Sequence, residues 1–176
     1  MTMQHSFFFR LKLFFAAIAV MTLFNYSSCK YSFKNASIPP DIKTIRILYI
    51  ENHARYVNPQ LSPALTDRLK QKIISQTKLT LVTTDEAQYE IGGYVSSYEA
   101  VTSGISNQQT ASNNLNVSVH VVFKNRVDDK KSKESDVTVS FPFSANITLS
   151  QAETALIDDI VKNVSDEIFN KIFSDW

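Results

Sequence analysis

An apolar segment without acidic residues begins the chain, and it most constrains what the remainder can fold into. Residues 1–28 contain six of the twelve Phe, all three Met and no Asp or Glu. Arg10 and Lys12 form a positive end just before an uncharged, almost wholly apolar run at residues 13–24. This run is shorter than the roughly 20 residues that a membrane-spanning helix needs. The pattern predicts an export signal over residues 1–28, which leaves 148 residues for one folded domain.

The single cysteine of the chain comes directly after this segment. The small residues before Cys29 resemble the lipobox of bacterial lipoproteins, although Tyr26 stands where Leu is usual. In such proteins the signal is cut before the cysteine, whose sulfur takes a diacylglycerol and whose new amine takes a third acyl chain. We therefore predict a lipidated tether over residues 29–42 and a domain over residues 43–176. The alternative is ordinary cleavage that leaves Cys29 as an incidental thiol.

Composition after residue 28 excludes several classes of function. The 16 basic and 17 acidic side chains nearly balance, so nothing favours the phosphate neutralisation on which nucleic-acid binding depends. One cysteine permits neither an intrachain disulfide nor a Cys-based zinc site. We expect neither His53 nor His120 to have a nearby carboxylate or a second His at ligand spacing, and no nucleophile or phosphate-loop motif occurs. We expect no enzyme activity, no catalytic residue, no metal and no cofactor.

Asparagine motifs leave a second secretory interpretation open. Asn35, Asn116, Asn146 and Asn163 each begin an Asn-x-Ser/Thr sequon, as eukaryotic glycoproteins do. This motif is short and arises by chance in a chain rich in Asn and Ser. Asn163 also falls within a predicted helix rather than a surface loop.

The hydrophobic pattern of residues 43–176 predicts a sheet and two helices. Alternating or continuous apolar residues indicate strands at residues 43–51, 79–83, 89–99, 116–126 and 137–145. Ser62 followed by Pro63 predicts the start of one helix, and the capping box Ser150 to Glu153 predicts the start of another. Polar residues 102–114 predict a mobile loop. We therefore predict an α+β fold, with a mostly antiparallel sheet of four to five strands and two helices packed on one face.

A basic cluster lies between the last two predicted strands. It comprises Lys124, Arg126, Lys130, Lys131 and Lys133, interleaved with Asp128, Asp129 and Glu134. The simpler interpretation is a solvated hairpin tip. The sharper interpretation is a contact for an anionic headgroup.

Three segments of the chain resemble a known family. Residues 29–45 (CKYSFKNASIPPDIKTI), the motif Asn58-Pro59-x-Leu61-Ser62 and the C-terminal residues 155–176 are similar to LptE-type lipopolysaccharide-assembly lipoproteins, in the form found in Bacteroidetes. The similarity is densest at residues 29–76 and 150–176, and weak between residues 100 and 145.

This resemblance implies an outer-membrane lipoprotein, anchored through Cys29 on the periplasmic side. The implied partner is the β-barrel translocon LptD, which such proteins plug while they assist its assembly and the insertion of lipopolysaccharide into the outer leaflet. Lys124, Arg126, Lys130 and Lys131 are then candidates for contact with lipopolysaccharide phosphates. Two alternatives remain open: a periplasmic ligand-binding or structural lipoprotein without a barrel partner, and a glycan-binding surface lipoprotein.

Overall fold

The described part of the molecule contains eight strands, two α-helices and one 3₁₀ turn (Asp129–Lys131). In this computed structural model the described residues are 38–103, 105–106, 109–110 and 112–174. The predicted signal and residues 29–37 of the predicted tether lie outside them. The elements are β1 (Thr44–Ile47), β2 (Glu51–Asn52), α1 (Leu61–Gln76), β3 (Thr80–Leu81), β4 (Tyr89–Thr102), β5 (Ile105–Ser106), β6 (Gln109–Thr110), β7 (Ser112–Asn125), β8 (Lys133–Ser144) and α2 (Leu149–Phe173).

The α+β prediction is confirmed, and the sheet has six strands in the order β3-β1-β4-β7-β8, with β2 also paired to β4. The long β4, β7 and β8 pair antiparallel, as predicted. The short strands do not: β1 runs parallel to both β3 and β4, and β2 runs parallel to β4. Helix α1 returns the chain to the starting end of β1, so the next strand enters in the same direction. The sheet is therefore mixed.

Both helices cover one face of this sheet. Along α1, Leu65, Leu69 and Ile73 form an apolar stripe that is fully buried. Along β7 the buried side chains alternate with half-buried ones, and the buried set is Leu115, Val117, Val119, Val121 and Phe123. The core therefore lies between this face of the sheet and the helices, and no helix in the described residues covers the other face.

Both helices begin earlier than the sequence motifs predict. Helix α1 starts at Leu61 after Gln60, and Ser62 is buried inside its first turn rather than capping it. Helix α2 starts at Leu149, and its capping box joins Thr148 to Gln151. A Ser or Thr followed three residues later by Glu or Gln occurs twice here, and the earlier pair is the one used.

The segment predicted as a mobile loop at residues 102–114 is largely a hairpin. β4 and β7 remain paired as far as Thr102 and Asn113, and β5 pairs with β6. In β4 the φ of Gly93 is 152°, and a Cβ at this residue would overlap the carbonyl oxygen of His120 on β7. The β-bulge lies just beyond Gly93, between Val95 and Ser97.

Candidate functional site

The four basic candidates lie at one end of the sheet. Lys124 stands near the end of β7, Arg126 follows that strand, and Lys130 and Lys131 lie in a single 3₁₀ turn. All four side chains are exposed. This end is the hairpin tip that the sequence predicts.

Glu90 organises the charges at this end. The side chain is only 5% exposed. Its Oε2 accepts a hydrogen bond of 2.8 Å from Nη2 of Arg126, and its Oε1 lies 3.4 Å from Nζ of Lys124. Nη1 of Arg46 is 4.0 Å away and also pairs with Asp85. Burial acts to raise the pKa of Glu90, but the hydrogen bonds and charges of Arg126 and Lys124 outweigh it and hold this pKa below its ordinary value.

The structure therefore separates the four candidates into two pairs. Lys124 and Arg126 share one carboxylate, so part of their charge is compensated within the domain. Lys130 and Lys131 lie on the turn beyond them, where Nζ of Lys131 is 3.9 Å from a carboxylate oxygen of Asp128. Sequence reasoning missed Glu90, although a charged residue between Tyr89 and Ile91 in an apolar strand is itself a signal that a cation faces it.

The chain enters the domain at this same end. Gln88 Oε1 accepts from the backbone N–H of Lys43 at 2.6 Å, and Gln88 Nε2 donates to the carbonyl of Asp41 at 3.2 Å. The carbonyl of Gln88 accepts from the backbone N–H of Arg126 at 2.9 Å. One glutamine thus ties the entering segment to the start of the basic hairpin.

The face of the sheet opposite the helices is polar. Side chains bond across neighbouring strands there, Ser118 to Thr138 at 2.9 Å and Ser140 to Asn116 at 2.6 Å. His120 contacts Asp136 at 2.8 Å. This face therefore carries an ordered row of hydroxyl, amide and imidazole groups.

Both histidines have carboxylate neighbours, which corrects the expectation drawn from sequence spacing. His53 Nε2 lies 2.8 Å from Glu51, two residues away, and His120 pairs with Asp136 from the next strand. The ring of Tyr94 lies between the two imidazoles, with centroids 4.7 and 5.2 Å away. Within the described ranges no group of three or more His, Cys, Asp or Glu side chains is placed to hold a metal ion.

A cavity of about 590 Å³ lies at the opposite end of the sheet. Its lining comprises Arg55, Tyr56, Leu149 and five consecutive residues of β4, numbers 96–100. Charged and hydroxyl groups are prominent among these residues, so this is not the deep apolar pocket that a ligand-binding module would favour.

A buried carboxylate supports the wall of this cavity. Glu153 is 8% exposed and accepts from the hydroxyl of Tyr56 at 3.1 Å and from the amide of Asn58 at 3.3 Å. The hydrogen bond to Glu153 raises the pKa of Tyr56. Burial raises the pKa of Tyr98, whose ring stacks on that of Tyr56 at 5.9 Å. Sequence reasoning assigned Glu153 to a helix cap and so missed this network.

The helices and the predicted lipid anchor bear on how the chain meets a membrane. Among the residues described, neither helix combines the length and the apolar character needed to cross a bilayer. The predicted lipid attachment at Cys29 lies outside the described residues.

A family model described as lipopolysaccharide-assembly, LptE, matches residues 42–172. No curated protein matches the chain. The match covers both helices nearly completely and every described strand, so it includes the regions where the sequence resemblance is weak.

Solved lipoproteins share this fold. Rare lipoprotein B from Shewanella oneidensis is 12% identical, with a TM-score of 0.52 over 75% of this chain and 95% of that one. An uncharacterised lipoprotein B from Nitrosomonas europaea is 15% identical, with a TM-score of 0.53 over 81% and 88%. A minor lipoprotein from Acinetobacter baumannii is 15% identical, with a TM-score of 0.51 over 77% and 94%. At these identities the likeness is one of fold.

Proposed function

The chain belongs to the LptE family of lipopolysaccharide-assembly proteins, and from this premise we propose that it plugs an LptD-type β-barrel in the outer membrane. In this role it has no catalytic step. It supports assembly of the barrel and the insertion of lipopolysaccharide into the outer leaflet. The observation that carries the proposal is the family match over residues 42–172.

The polar face of the sheet, opposite the helices, supports the proposal of a plug. A closed barrel of many strands has a polar, water-filled interior, so a domain inside it needs a polar surface rather than an apolar one. In the described part of the molecule, the face opposite the helices carries Ser118, Thr138, Asn116 and Ser140, which bond to one another in pairs. Such a face can exchange water for polar groups of the barrel lumen at little cost.

We propose that the chain is anchored through a lipid on Cys29. Three acyl chains bury many methylenes at about 0.8 kcal/mol each, so a triacylated protein stays on the membrane. Nine residue steps separate Cys29 from Ile38, the first described residue. At 3.3–3.6 Å per residue they reach at most about 32 Å. We propose that the lipid holds the domain at the periplasmic side of the outer membrane and raises its effective concentration near the barrel.

Lipopolysaccharide contact is proposed for the basic hairpin. Phosphate groups accept charge-assisted hydrogen bonds from Lys and Arg. Lys130 and Lys131 stand on the exposed turn, and Lys124 and Arg126 stand beside it around Glu90. We assign the outer pair the first contact, because both side chains are exposed on the turn that lies beyond Lys124 and Arg126.

Affinity purification tests the barrel partnership. The tagged, membrane-extracted protein is expected to recover a large outer-membrane β-barrel protein in stoichiometric amount. Recovery of soluble periplasmic proteins alone, without any barrel, would favour a ligand-binding or structural lipoprotein and overturn the proposal.

Paired substitutions test the lipopolysaccharide contact. Lys130→Ala with Lys131→Ala should weaken binding to purified lipopolysaccharide about tenfold, which is about 1.4 kcal/mol. The matched control is Arg68→Ala with Lys70→Ala, which removes two basic residues from the outer face of α1 and should leave binding unchanged. Equal binding by both double variants would contradict the assignment.

A further inference from the structure

Strand β4 is paired along only part of one edge. Its β7 side is paired from Tyr89 to Thr102. On the other side β1 pairs with its first three residues and β2 with Tyr94 and Val95. The last backbone bond on that side runs from the N–H of His53 to the carbonyl of Val95, at 2.9 Å. Beyond it, no residue in the described ranges pairs with this edge of β4 as far as Thr102.

The cavity of about 590 Å³ runs along this unpaired edge. Five consecutive residues of β4, numbers 96–100, line it. Successive side chains of a strand point to opposite faces, so a cavity that touches all five lies beside the strand rather than above it. Arg55 and Tyr56 form one wall and Leu149 another. The cavity therefore continues the line of β2.

The backbone at this edge offers a specific set of hydrogen-bonding groups. The carbonyls of Ile91 and Val95, two residues that face the core, point toward β1 and β2. The bulge shifts the register by one residue. Beyond it, the residues on the core-facing side of β4 are Tyr98, which lies opposite Val117, and then Ala100. The backbone groups of these two residues therefore point to the unpaired edge. Only another extended backbone matches such a row at strand spacing.

The side chains around the edge favour a polypeptide with both apolar and acidic residues. Four of the large apolar side chains that the structure exposes occur in the segments at this end: Tyr56, Val57, Val101 and Ile147. Arg55 is exposed and has no ion pair within the described part of the chain. An acidic side chain of the incoming segment would meet this guanidinium.

We propose that this edge receives an extended segment of the barrel partner, which adds to β4 as a further strand in line with β2. The proposal rests on the proposed function and names the surface through which the barrel is recognised. Seven residues, numbers 96–102, span about 23 Å at strand spacing, so the segment has about five to seven residues. Glu153 fixes Tyr56 in the wall through its hydrogen bond, so the groove is formed before the segment arrives.

Hydrogen exchange resolved to single residues tests this. The probe is the barrel complex recovered with the tagged protein, compared with the protein alone. The amides of Tyr98 and Ala100 should exchange at least tenfold more slowly in the complex. The matched controls are the amides of Thr138 and Ser140, which by the same alternation point to the free edge of β8 and should change little.

Three outcomes decide the matter. Slowing at Tyr98 and Ala100 but not at Thr138 and Ser140 supports strand addition. Strand addition is overturned if amide exchange slows equally at both edges. It is also overturned if exchange at Tyr98 and Ala100 does not slow in an intact complex. In either case the proposed function stands. Failure to recover any barrel overturns the proposed function, and this proposal with it.

An Arg55→Glu variant gives a second readout. It should reduce the slowing at Tyr98 and Ala100 about tenfold, whereas Arg68→Glu on α1 should not. If amide exchange at Tyr98 and Ala100 slows as much in the Arg55→Glu complex as in the wild-type complex, the guanidinium of Arg55 does not take part in the proposed contact.

Discussion

Gly93 is the residue whose backbone the fold constrains most visibly. Its φ of 152° is one that L side chains rarely adopt, and a Cβ there would overlap the carbonyl oxygen of His120 on the neighbouring strand. Gly93→Ala should therefore lower the free energy of unfolding by about 3 kcal/mol, combining backbone strain with the displaced strand. Urea denaturation of the purified protein measures this.

Gly92 provides the matched control. A Cβ at this position would lie 3.1 Å from Cδ1 of Leu48, the end of a flexible side chain that can move. Gly92→Ala should cost clearly less than Gly93→Ala. Equal losses at the two positions would mean that the approach of β4 to His120 is not the constraint described here.

Glu90 should make stability depend on pH. Its pKa is held below the ordinary value of 4.5 in the folded state. A carboxyl with a lowered folded pKa contributes stability above its unfolded pKa and loses it as the pH falls through the folded one. Glu90→Gln should be less stable than the wild type at pH 7, and the difference should narrow below about pH 4.5.

Unfolding midpoints in urea between pH 7 and pH 3 measure this effect. Asp166 also has a lowered pKa, because hydrogen bonds from Lys72 and Lys162 outweigh the effect of its burial, so Asp166→Asn should show the same trend independently. A difference between Glu90→Gln and wild type that stays constant over this range would exclude Glu90 as a source of the pH dependence.

At the level of elements, the start of α2 distinguishes two cap candidates. Thr148 accepts from the backbone N–H of Gln151, whose side chain accepts from the N–H of Thr148. Thr148→Ala should lower the free energy of unfolding by about 1 kcal/mol. Ser150→Ala should change it by less than about 0.5 kcal/mol, because Ser150 lies within the exposed first turn. Thermal or urea denaturation of both variants measures these losses. A larger loss for Ser150→Ala than for Thr148→Ala would mean that Ser150 is the cap.

Local sequence patterns predicted the helices and strands. They could not predict the direction in which strands distant in the chain pair. The alternation from Val117 to Phe123 predicts a strand with one buried face, because both follow from a two-residue period. The parallel pairing of β1 with β3 and β4 depends on segments more than 30 residues apart, and no local period encodes it. The sheet is therefore mixed and has six strands, whereas the sequence predicts four to five in a mostly antiparallel arrangement.

The candidate site was predictable only as a list of charges. The sequence shows Lys124 and Arg126 as a basic cluster, but their shared partner Glu90 is more than 30 residues earlier. Glu153 fits a capping motif, so its burial beside Tyr56 could not be read from spacing. In both cases the tertiary fold, and not the local sequence motif, determines which side chains the carboxylate contacts.

At the level of the whole molecule, Cys29 is expected to carry the anchor. Cells supplied with labelled palmitate should label the wild-type protein and the Ser28→Ala control, because both retain the thiol. Cys29→Ala should take up no label and should leave the outer-membrane fraction. Label in Cys29→Ala, or its unchanged recovery with that fraction, would refute acylation at this position.

The most direct measurement of the central claim is the amount of lipopolysaccharide on the cell surface after depletion of this protein. Because the proposed role supports both the barrel and lipopolysaccharide insertion, surface lipopolysaccharide should fall as the protein is lost. Re-expression of the wild type should restore it. Surface lipopolysaccharide that stays at its normal level in depleted cells would contradict the proposed function.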